Sequence, residues 1–166
     1  MHLFRAKVTS TSDPKHLGRV CVSLSDLTAQ TGGAPASDTT WLRVIQVSAG
    51  KDHGHLFLPE VGDQVLVLGA DGGDTHQMYV LGALYHGDAK PPSQADDRGN
   101  PLKQIRTPGG NALSFSDKPG HEYTQIKAGK TTLTLYADGR IRMQSPSSVA
   151  IEAPLVTING KPVNTS

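Results

Sequence analysis

One short pattern repeats through the carboxyl-terminal part of the chain. From Leu113 onward, apolar residues recur in alternating pairs, and the spacing between pairs settles near about eight residues. Glycine, proline, Asp-Gly or Asn-Gly lies between the pairs, and these are the residues that chain reversals require. Alternation places both members of a pair on one face of a strand. The pattern therefore predicts short β-strands with a single narrow apolar face. The pairs are Leu113/Phe115, Thr124/Ile126, Leu133/Leu135, Ile141/Met143, Val149/Ile151 and Val156/Ile158.

Such a repeat buries too little apolar surface for one chain to fold alone. Fully burying an apolar side chain contributes only ~1.5–3 kcal/mol, whereas ordering each backbone residue costs ~1–2 kcal/mol. Several chains can fold together if their narrow faces meet on a common axis and their backbones pair. We therefore expect residues 101–166 to form a symmetric, intertwined β-structure shared between chains, and three copies are the natural number because three narrow faces close a prism. Its expected core is Leu113, Phe115, Ile126, Leu133, Leu135, Ile141, Met143, Val149, Ile151, Val156 and Ile158.

Residues 1–90 carry a different pattern, in which short alternating runs are separated by glycine and proline and helical periodicity is nearly absent. An all-β chain with five short strands here favours a closed five-stranded OB-fold barrel. The segment Thr28–Thr39 predicts a loop between the second and third strands, and the polar, proline-rich residues 91–102 predict a linker. The predicted strands are Leu3–Thr9, Arg19–Leu24, Trp41–Ser48, Gln64–Leu68 and Met78–Tyr85.

Composition narrows the possible function. The 166 residues are 36% hydrophobic and 5% aromatic, with 18 Gly and 11 Pro, which disfavours a large helical enzyme. A net charge of +1 gives no field that would draw the chain to nucleic acid or anionic lipid. No apolar stretch reaches the roughly 20 residues of a membrane span, and the start lacks the apolar run of a signal peptide, so we expect the protein to be made and kept in a cytosol. The single cysteine, Cys21, rules out an internal disulfide and is expected to be a small buried or half-buried residue of an alternating strand.

An ordered series of motifs runs through the barrel segment: Gly18-Arg19-Val20, Trp41-Leu42-Arg43-Val44, Ala49-Gly50, the stretch from Phe57 to Val67, Gly73-Asp74, Val80-Leu81-Gly82 and Pro91-Pro92. This series resembles the OB-fold domain in the central spike proteins of contractile injection machines, which are the phage baseplate assembly protein V and VgrG families. Residues from Lys103 onward are similar to the start of the trimeric β-helix that follows that domain. The resemblance thus implies that residues 103–166 form an intertwined triple-stranded β-helix in a homotrimer. Together the two resemblances cover nearly the whole chain.

The resemblance implies a homotrimeric spike in a phage tail or type VI-like secretion apparatus, which is pushed mechanically through the target cell envelope. It implies a tube or hub baseplate protein as partner at the barrel end, and a PAAR-type tip protein or an effector at the carboxyl end. The large hub domains that precede the barrel in VgrG proteins do not occur in this sequence, so it resembles either the short free-standing phage type or an excised spike fragment. The end of the chain also lacks the His-X-His pair that holds an apical metal ion in many phage spikes.

The sequence offers few candidates for catalytic or metal-binding residues. His53 and His55 lie two residues apart and are the best metal-ligand candidates, although no third ligand is near them in the sequence. Asp71, Asp74 and His76 are typical of a tight glycine-rich hairpin, because their spacing lacks the ligand series of a calcium loop. Glu60 has no visible partner base, and no Gly-X-Ser-X-Gly motif occurs. We therefore expect neither catalysis nor a cofactor.

One alternative from another class is an OB-fold module that binds nucleic acid or saccharide. Binders of single-stranded nucleic acid need aromatic stacking platforms along a basic groove. The barrel segment has few aromatic residues, and no basic cluster accompanies them. The spike hypothesis is therefore favoured, with no nucleic acid as partner.

Overall fold

The computed structural model describes residues 2–24, 39–69, 77–92 and 99–163. The chain forms two compact units, Met1–Lys90 and Pro91–Ser166. Most of the predicted loop Thr28–Thr39, together with Asp71, Asp74 and His76, lies outside the described residues. Within the described part of the chain, no helix is long and apolar enough to cross a membrane.

The first unit is a closed barrel whose five main strands follow the ring order β1-β2-β3-β7-β6. Neighbouring strands are antiparallel except for the parallel pair β3 and β7. A two-stranded hairpin, β4 and β5, lies in the connection between β3 and β6. The all-β class and the five-stranded barrel are thus confirmed. The strands are β1 (His2–Ser10), β2 (Arg19–Ser23), β3 (Thr39–Val44), β4 (Ala49–Gly50), β5 (His53–Gly54), β6 (Gln64–Gly69) and β7 (Tyr79–Leu84).

Four of the five predicted barrel strands agree with the structure to within one or two residues at each end, but the third was predicted too long. It ends at Val44 rather than Ser48. The backbone N–H of Ile45 donates to the Val80 carbonyl, and beyond Ile45 the chain leaves the barrel. The β4–β5 hairpin then reverses its direction. Asp52 in that hairpin has a φ of 61°, a left-handed conformation that ends an extended strand.

Alternation along the strands fills the barrel with small branched side chains. On β1, the inward positions Phe4, Ala6 and Val8 are buried, while their neighbours in the strand are exposed. Valine suits such positions because its branched side chain packs well on a pleated surface. Cys21 is also buried, but on the face of β2 away from the core residues Val20 and Val22. The core cluster is Phe4, Ala6, Val8, Val20, Val22, Leu24, Leu42, Val65, Val67, Met78 and Val80.

A buried carboxylate organises the connection between β1 and β2. Asp13 is only 7% exposed, and its side chain accepts hydrogen bonds from the backbone N–H groups of Lys15 and Leu17 at 3.0 and 2.8 Å. It also accepts from Nε of Arg19 at 3.1 Å and from the Nη2 atom of the same guanidinium. The Arg19 side chain, followed by these backbone donors, holds the pKa of Asp13 well below its usual range.

The second unit contains a five-stranded antiparallel meander in the order β12-β11-β10-β9-β8. Each of the three inner strands is hydrogen-bonded on both sides within the chain, and β8 and β12 form the edges. The structure therefore pairs these five strands with one another, where the sequence argument had expected pairing between chains. The strands are β8 (Leu102–Arg106), β9 (Ala112–Ser116), β10 (Tyr123–Ala128), β11 (Thr131–Tyr136) and β12 (Ile141–Gln144).

Beyond β12 the described residues are exposed, apart from the half-buried Ser145 and Val156. A final hairpin pairs β13 (Thr157–Ile158) with β14 (Lys161–Pro162). Its two turn residues, Asn159 and Gly160, have φ values of 50° and 74°. Positive φ at both positions is the type I′ geometry for which Asn-Gly is the preferred sequence.

Candidate functional site

An unbroken row of apolar residues crosses all five strands of the meander. In this row Leu113 on β9 lies opposite Ile126 on β10, and Ile126 lies opposite Leu133 on β11. Ile105 on β8 extends the row at one end, and Met143 on β12 extends it at the other. Because directly opposed residues share a face of the sheet, all five side chains lie on the same face. We call this side of the meander the apolar face.

A second, mixed row runs beside the first on the apolar face. It pairs Phe115 with Thr124, Thr124 with Leu135, and Leu135 with Ile141. Lys103 closes this row at the β8 edge. The two rows together bring seven of the predicted core residues onto one surface, and these are Leu113, Phe115, Ile126, Leu133, Leu135, Ile141 and Met143.

Most of the apolar face is open to solvent in the single chain. Phe115 is 42% exposed, Ile126 is 52% exposed and Ile141 is 69% exposed. Soluble monomers rarely expose a large contiguous apolar patch, and such a patch marks an interaction surface. The apolar face is therefore the strongest candidate for a functional surface in the second unit.

The opposite face of the meander is polar, and its small side chains are the buried ones. Ser114 and Thr134 are 4% and 3% exposed. Gln104 donates from Nε2 to the Ser114 hydroxyl at 2.8 Å, and Gln125 donates to the Thr134 hydroxyl at 3.0 Å. These glutamine-to-hydroxyl bonds join β8 to β9 and β10 to β11, so they stabilise the meander from the side opposite the apolar face. We call this side the polar face.

The remaining predicted core residues lie beyond the meander. Val149 and Ile151 are more than half exposed and belong to no strand. Val156 is half-buried just before the last hairpin, and Ile158 lies within it, 65% exposed. The structure does not bring these four residues together with the apolar face in the single chain. They stay a prediction about the assembled spike.

One apolar residue of the apolar face, Ile105, was not predicted from the sequence. It lies opposite Leu113 and is 49% exposed. Ile105 does not belong to an alternating apolar pair, because its same-face neighbour on β8 is Lys103. The sequence therefore carries no hydrophobic alternation that would have identified it.

The histidine pair lies on the exposed β4–β5 hairpin of the barrel. Nδ1 of His53 is 2.8 Å from the carbonyl oxygen of Lys51, and the backbone N–H of His55 donates to Ser48. Among the residues that the structure describes, no three histidine, cysteine, aspartate or glutamate side chains form a group that could hold a metal ion. Glu60 occupies an exposed turn in which its backbone N–H donates to the Asp63 carboxylate at 2.9 Å.

Comparison with known proteins gives the barrel a family. Residues 4–85 match the family described as "Type VI secretion system/phage-baseplate injector OB domain". This barrel is an injector OB domain. The predicted resemblance is thereby confirmed, and the match covers all five main strands of the ring apart from the first two residues of β1.

Individual relatives extend the comparison beyond the injector OB domain. The chain is 29% identical over 130 residues to the spike protein of Escherichia phage P2, which covers 78% of this chain and 56% of the relative. It is 34% identical over 102 residues to the type VI secretion system spike protein VgrG5 of Pseudomonas aeruginosa, covering 58% of this chain and 13% of the relative. Against VgrG3 of Vibrio cholerae the identity is 33% over 94 residues, covering 54% and 9%.

The chain is thus homologous to spike proteins of a phage and of type VI secretion systems. It covers about half the length of the phage relative and a small part of the VgrG relatives. Because the 130-residue match to the phage spike is longer than the injector OB domain, part of the second unit shares in the similarity.

Proposed function

We propose that this protein is a structural homotrimeric spike at the baseplate or tip of a contractile tail or type VI-like secretion apparatus. Residues 1–90 would form the OB domain, 91–102 the linker and 103–166 an intertwined triple-stranded β-helix. The spike would pierce the target cell envelope mechanically, without catalysis, a cofactor or nucleic acid. The homology to spike proteins supports the location, and the exposed apolar face supports the assembly.

The exposed apolar face is the main observation that supports the proposed trimer. Six of its side chains, Ile105, Phe115, Ile126, Leu135, Ile141 and Met143, are 42–69% exposed. Burying the exposed part of each side chain would contribute about 1 kcal/mol, which amounts to roughly 5–9 kcal/mol for each chain. Association costs at least ~4 kcal/mol in lost freedom. Three faces that meet on one axis can offset this cost, whereas a lone chain leaves the apolar surface in water.

The edges of the meander favour intertwining. β8 and β12 each have a strand on one side only within the described part of the chain. An open sheet edge presents unpaired N–H and C=O groups that readily pair with another chain. Edge pairing between neighbouring copies would close the three sheets into a prism. Such a prism has no free edge along its sides, and it resists bending when pushed.

The barrel offers a separate surface for a tube or hub protein. Between β3 and β6, Val47 is 91% exposed, Leu56 76% and Phe57 58%. Gln46 holds this segment in place, because its side chain donates to the Phe57 carbonyl at 3.2 Å and accepts from the Phe57 N–H at 3.4 Å. Ordered, exposed apolar residues favour a protein partner at this end. A PAAR-type tip protein or an effector would occupy the carboxyl end.

Adjacent substitutions on the edge strand β12 test the trimer. We expect the full chain to have the mass of a trimer by native mass spectrometry and multi-angle light scattering. Met143→Asp would place three charges together on the axis and abolish the trimer. Gln144→Asp is the matched control: Gln144 is the next residue, is also exposed and lies on the polar face opposite Thr132, so this variant should remain trimeric.

Two results would contradict the proposal. One is that the Met143→Asp and Gln144→Asp variants have the same oligomeric state, which would show that the apolar face is not the interface. The other is a monomeric wild-type chain that binds single-stranded DNA, which would favour an OB-fold nucleic-acid module instead.

A further inference from the structure

The polar face of the meander holds a groove of about 470 Å³ at one end. This volume is within the ~300–1,000 Å³ typical of small-molecule sites. The groove lies entirely within one chain, between the β9–β10 connection and the β11–β12 turn. Its lining includes Glu122, Tyr123, Gln125, Thr134, Tyr136 and Arg140.

Two tyrosines form the floor of the groove. Tyr123 on β10 lies directly opposite Tyr136 on β11, and both are half-buried. The Arg140 guanidinium lies over the Tyr136 ring, 4.6 Å from its centroid, and donates to Asp138 at 2.8 Å. The Tyr123 ring has no such stacked cation among the described residues. An aromatic ring with an apolar body and a polar tip suits a ligand that has both characters.

Ordered backbone forms the walls. On one side the Ser116 hydroxyl donates to the His121 carbonyl at 3.0 Å, and on the other the Arg140 N–H donates to the Asp138 carboxylate at 3.1 Å. The Ala137 N–H donates to the Glu122 carbonyl at 3.2 Å and ties the two walls together. The groove is therefore formed before any ligand arrives, which lowers the ordering cost of binding.

The charges in the groove determine the ligand class. Arg140 is paired with Asp138, so its charge is already balanced. The Glu122 carboxylate makes no ion pair or side-chain hydrogen bond within the described part of the chain. His121 also lines the groove; with this imidazole counted as neutral at pH 7, the balance of formal charge is negative and disfavours a phosphate or another anion. A neutral ligand with many hydroxyl groups can donate to Glu122 and use the spare hydrogen-bonding capacity of Gln125.

We propose that this groove binds a neutral saccharide, with the apolar side of one pyranose ring on Tyr123 and its hydroxyl groups bonded to Glu122 and Gln125. The site goes beyond the piercing role, since it would let the spike recognise envelope glycans. It lies on the polar face, which would point outward if the apolar faces meet on an axis. The proposed site is formed by one chain only, so saccharide binding can be tested independently of whether the chain forms a trimer.

Two neutral probes distinguish the sources of such a sugar. Chitotriose represents the glycan strands of the cell wall, and maltotriose represents the neutral hexoses of surface lipopolysaccharide. Saturation-transfer NMR and calorimetry with the full chain should detect binding of at least one of them. Failure of both probes at millimolar concentration would overturn the proposal. Equal binding of inorganic phosphate in competition with the sugar would also overturn it, because the site would then be an anion site.

Variants assign the binding to the groove. Tyr123→Ala should weaken binding by about tenfold or more, and Glu122→Gln, which keeps the shape of the side chain, by roughly threefold to tenfold. Tyr85→Ala is the matched control because Tyr85 is an exposed tyrosine of the barrel, 68% exposed and outside the groove. If Glu122→Gln and Tyr85→Ala bind the sugar like the wild type, the groove is not the site.

The native mass of each variant separates binding from assembly. We expect Glu122→Gln to keep the oligomeric state of the wild type while losing affinity for the sugar. A change of mass in this variant would show that a neighbouring chain occupies the groove and would overturn the saccharide proposal. A wild-type chain that is not trimeric would contradict the proposed spike. The saccharide-binding result could still be interpreted, because the proposed site needs one chain only.

Discussion

Asp13 accepts hydrogen bonds from both Nε and Nη2 of Arg19, and the same guanidinium lies 5.7 Å from the centre of the Trp41 ring. A buried carboxylate thus joins the β1–β2 connection to β2, and the arginine joins it to β3. Because one residue satisfies several donors, its loss leaves buried groups without partners. The connection is therefore a fixed part of the barrel.

Replacing Asp13 should destabilise the barrel and change its response to acid. Asp13→Asn keeps the shape of the side chain but removes the charge that Arg19 requires, so we expect a lower unfolding temperature. Trp41 is the only tryptophan, and its fluorescence reports on the barrel. Asp88→Asn, which changes an exposed residue of the same unit, is the control and should unfold like the wild type.

The pH dependence follows from the direction of the pKa shift. The pKa of Asp13 is lower in the folded chain than in the unfolded chain, chiefly because of the Arg19 side chain. Its contribution to stability is therefore fully present above the unfolded pKa and is lost as the pH falls below about 4. Thermal unfolding of the wild type should show this loss, and Asp13→Asn should show a smaller one. An unchanged acid profile in the variant would contradict the assigned role.

Alternation alone predicted much of the fold. The barrel strands were found because apolar residues alternate along them and glycine or proline separates them, and the apolar face was found because its members fall in pairs. The hydrogen bonds of the polar face were not predictable in this way. No sequence pattern marks Gln104 or Ser114, yet their side chains are hydrogen-bonded to each other and Ser114 is nearly buried. Apolar burial alone therefore underestimates how many strands one chain can pair within itself.

Neighbouring residues on an inner strand provide an independent test of the apolar face. Ile126 and Lys127 are consecutive on β10, both are exposed, and they point to opposite faces. Ile126→Asp should dissociate the trimer, because it places three carboxylates on the axis, while Lys127→Asp should leave the mass unchanged. Trp41 fluorescence should be the same in both variants, since the barrel is a separate unit. A trimer that survives Ile126→Asp in native mass spectrometry would rule out the apolar face as its core.

The turn between β10 and β11 requires a residue with a positive φ. Gly129 has a φ of 58°, a conformation that costs other residues roughly 1–2 kcal/mol. Gly129→Ala should therefore lower the free energy of unfolding by about that amount. Gly109→Ala is the control, because Gly109 is not among the residues with positive φ and an added Cβ there would meet only the Thr107 hydroxyl at 3.9 Å. Circular dichroism in increasing urea should separate the two variants, and equal midpoints would contradict the argument.

Cys21 offers a chemical probe of local opening on the outer face of β2. The residue is 7% exposed and lies opposite Trp41, on the face of the strand away from the core residues Val20 and Val22, and it is the only cysteine in the chain. We expect a thiol reagent to label it slowly in the native protein and at once in denaturant, because labelling requires the structure that covers it to open. The rate should rise in Asp13→Asn, which loosens the adjoining connection, and should stay at the wild-type value in Asp88→Asn. Fast labelling of the native wild type, followed by mass spectrometry, would show that the barrel does not protect this strand.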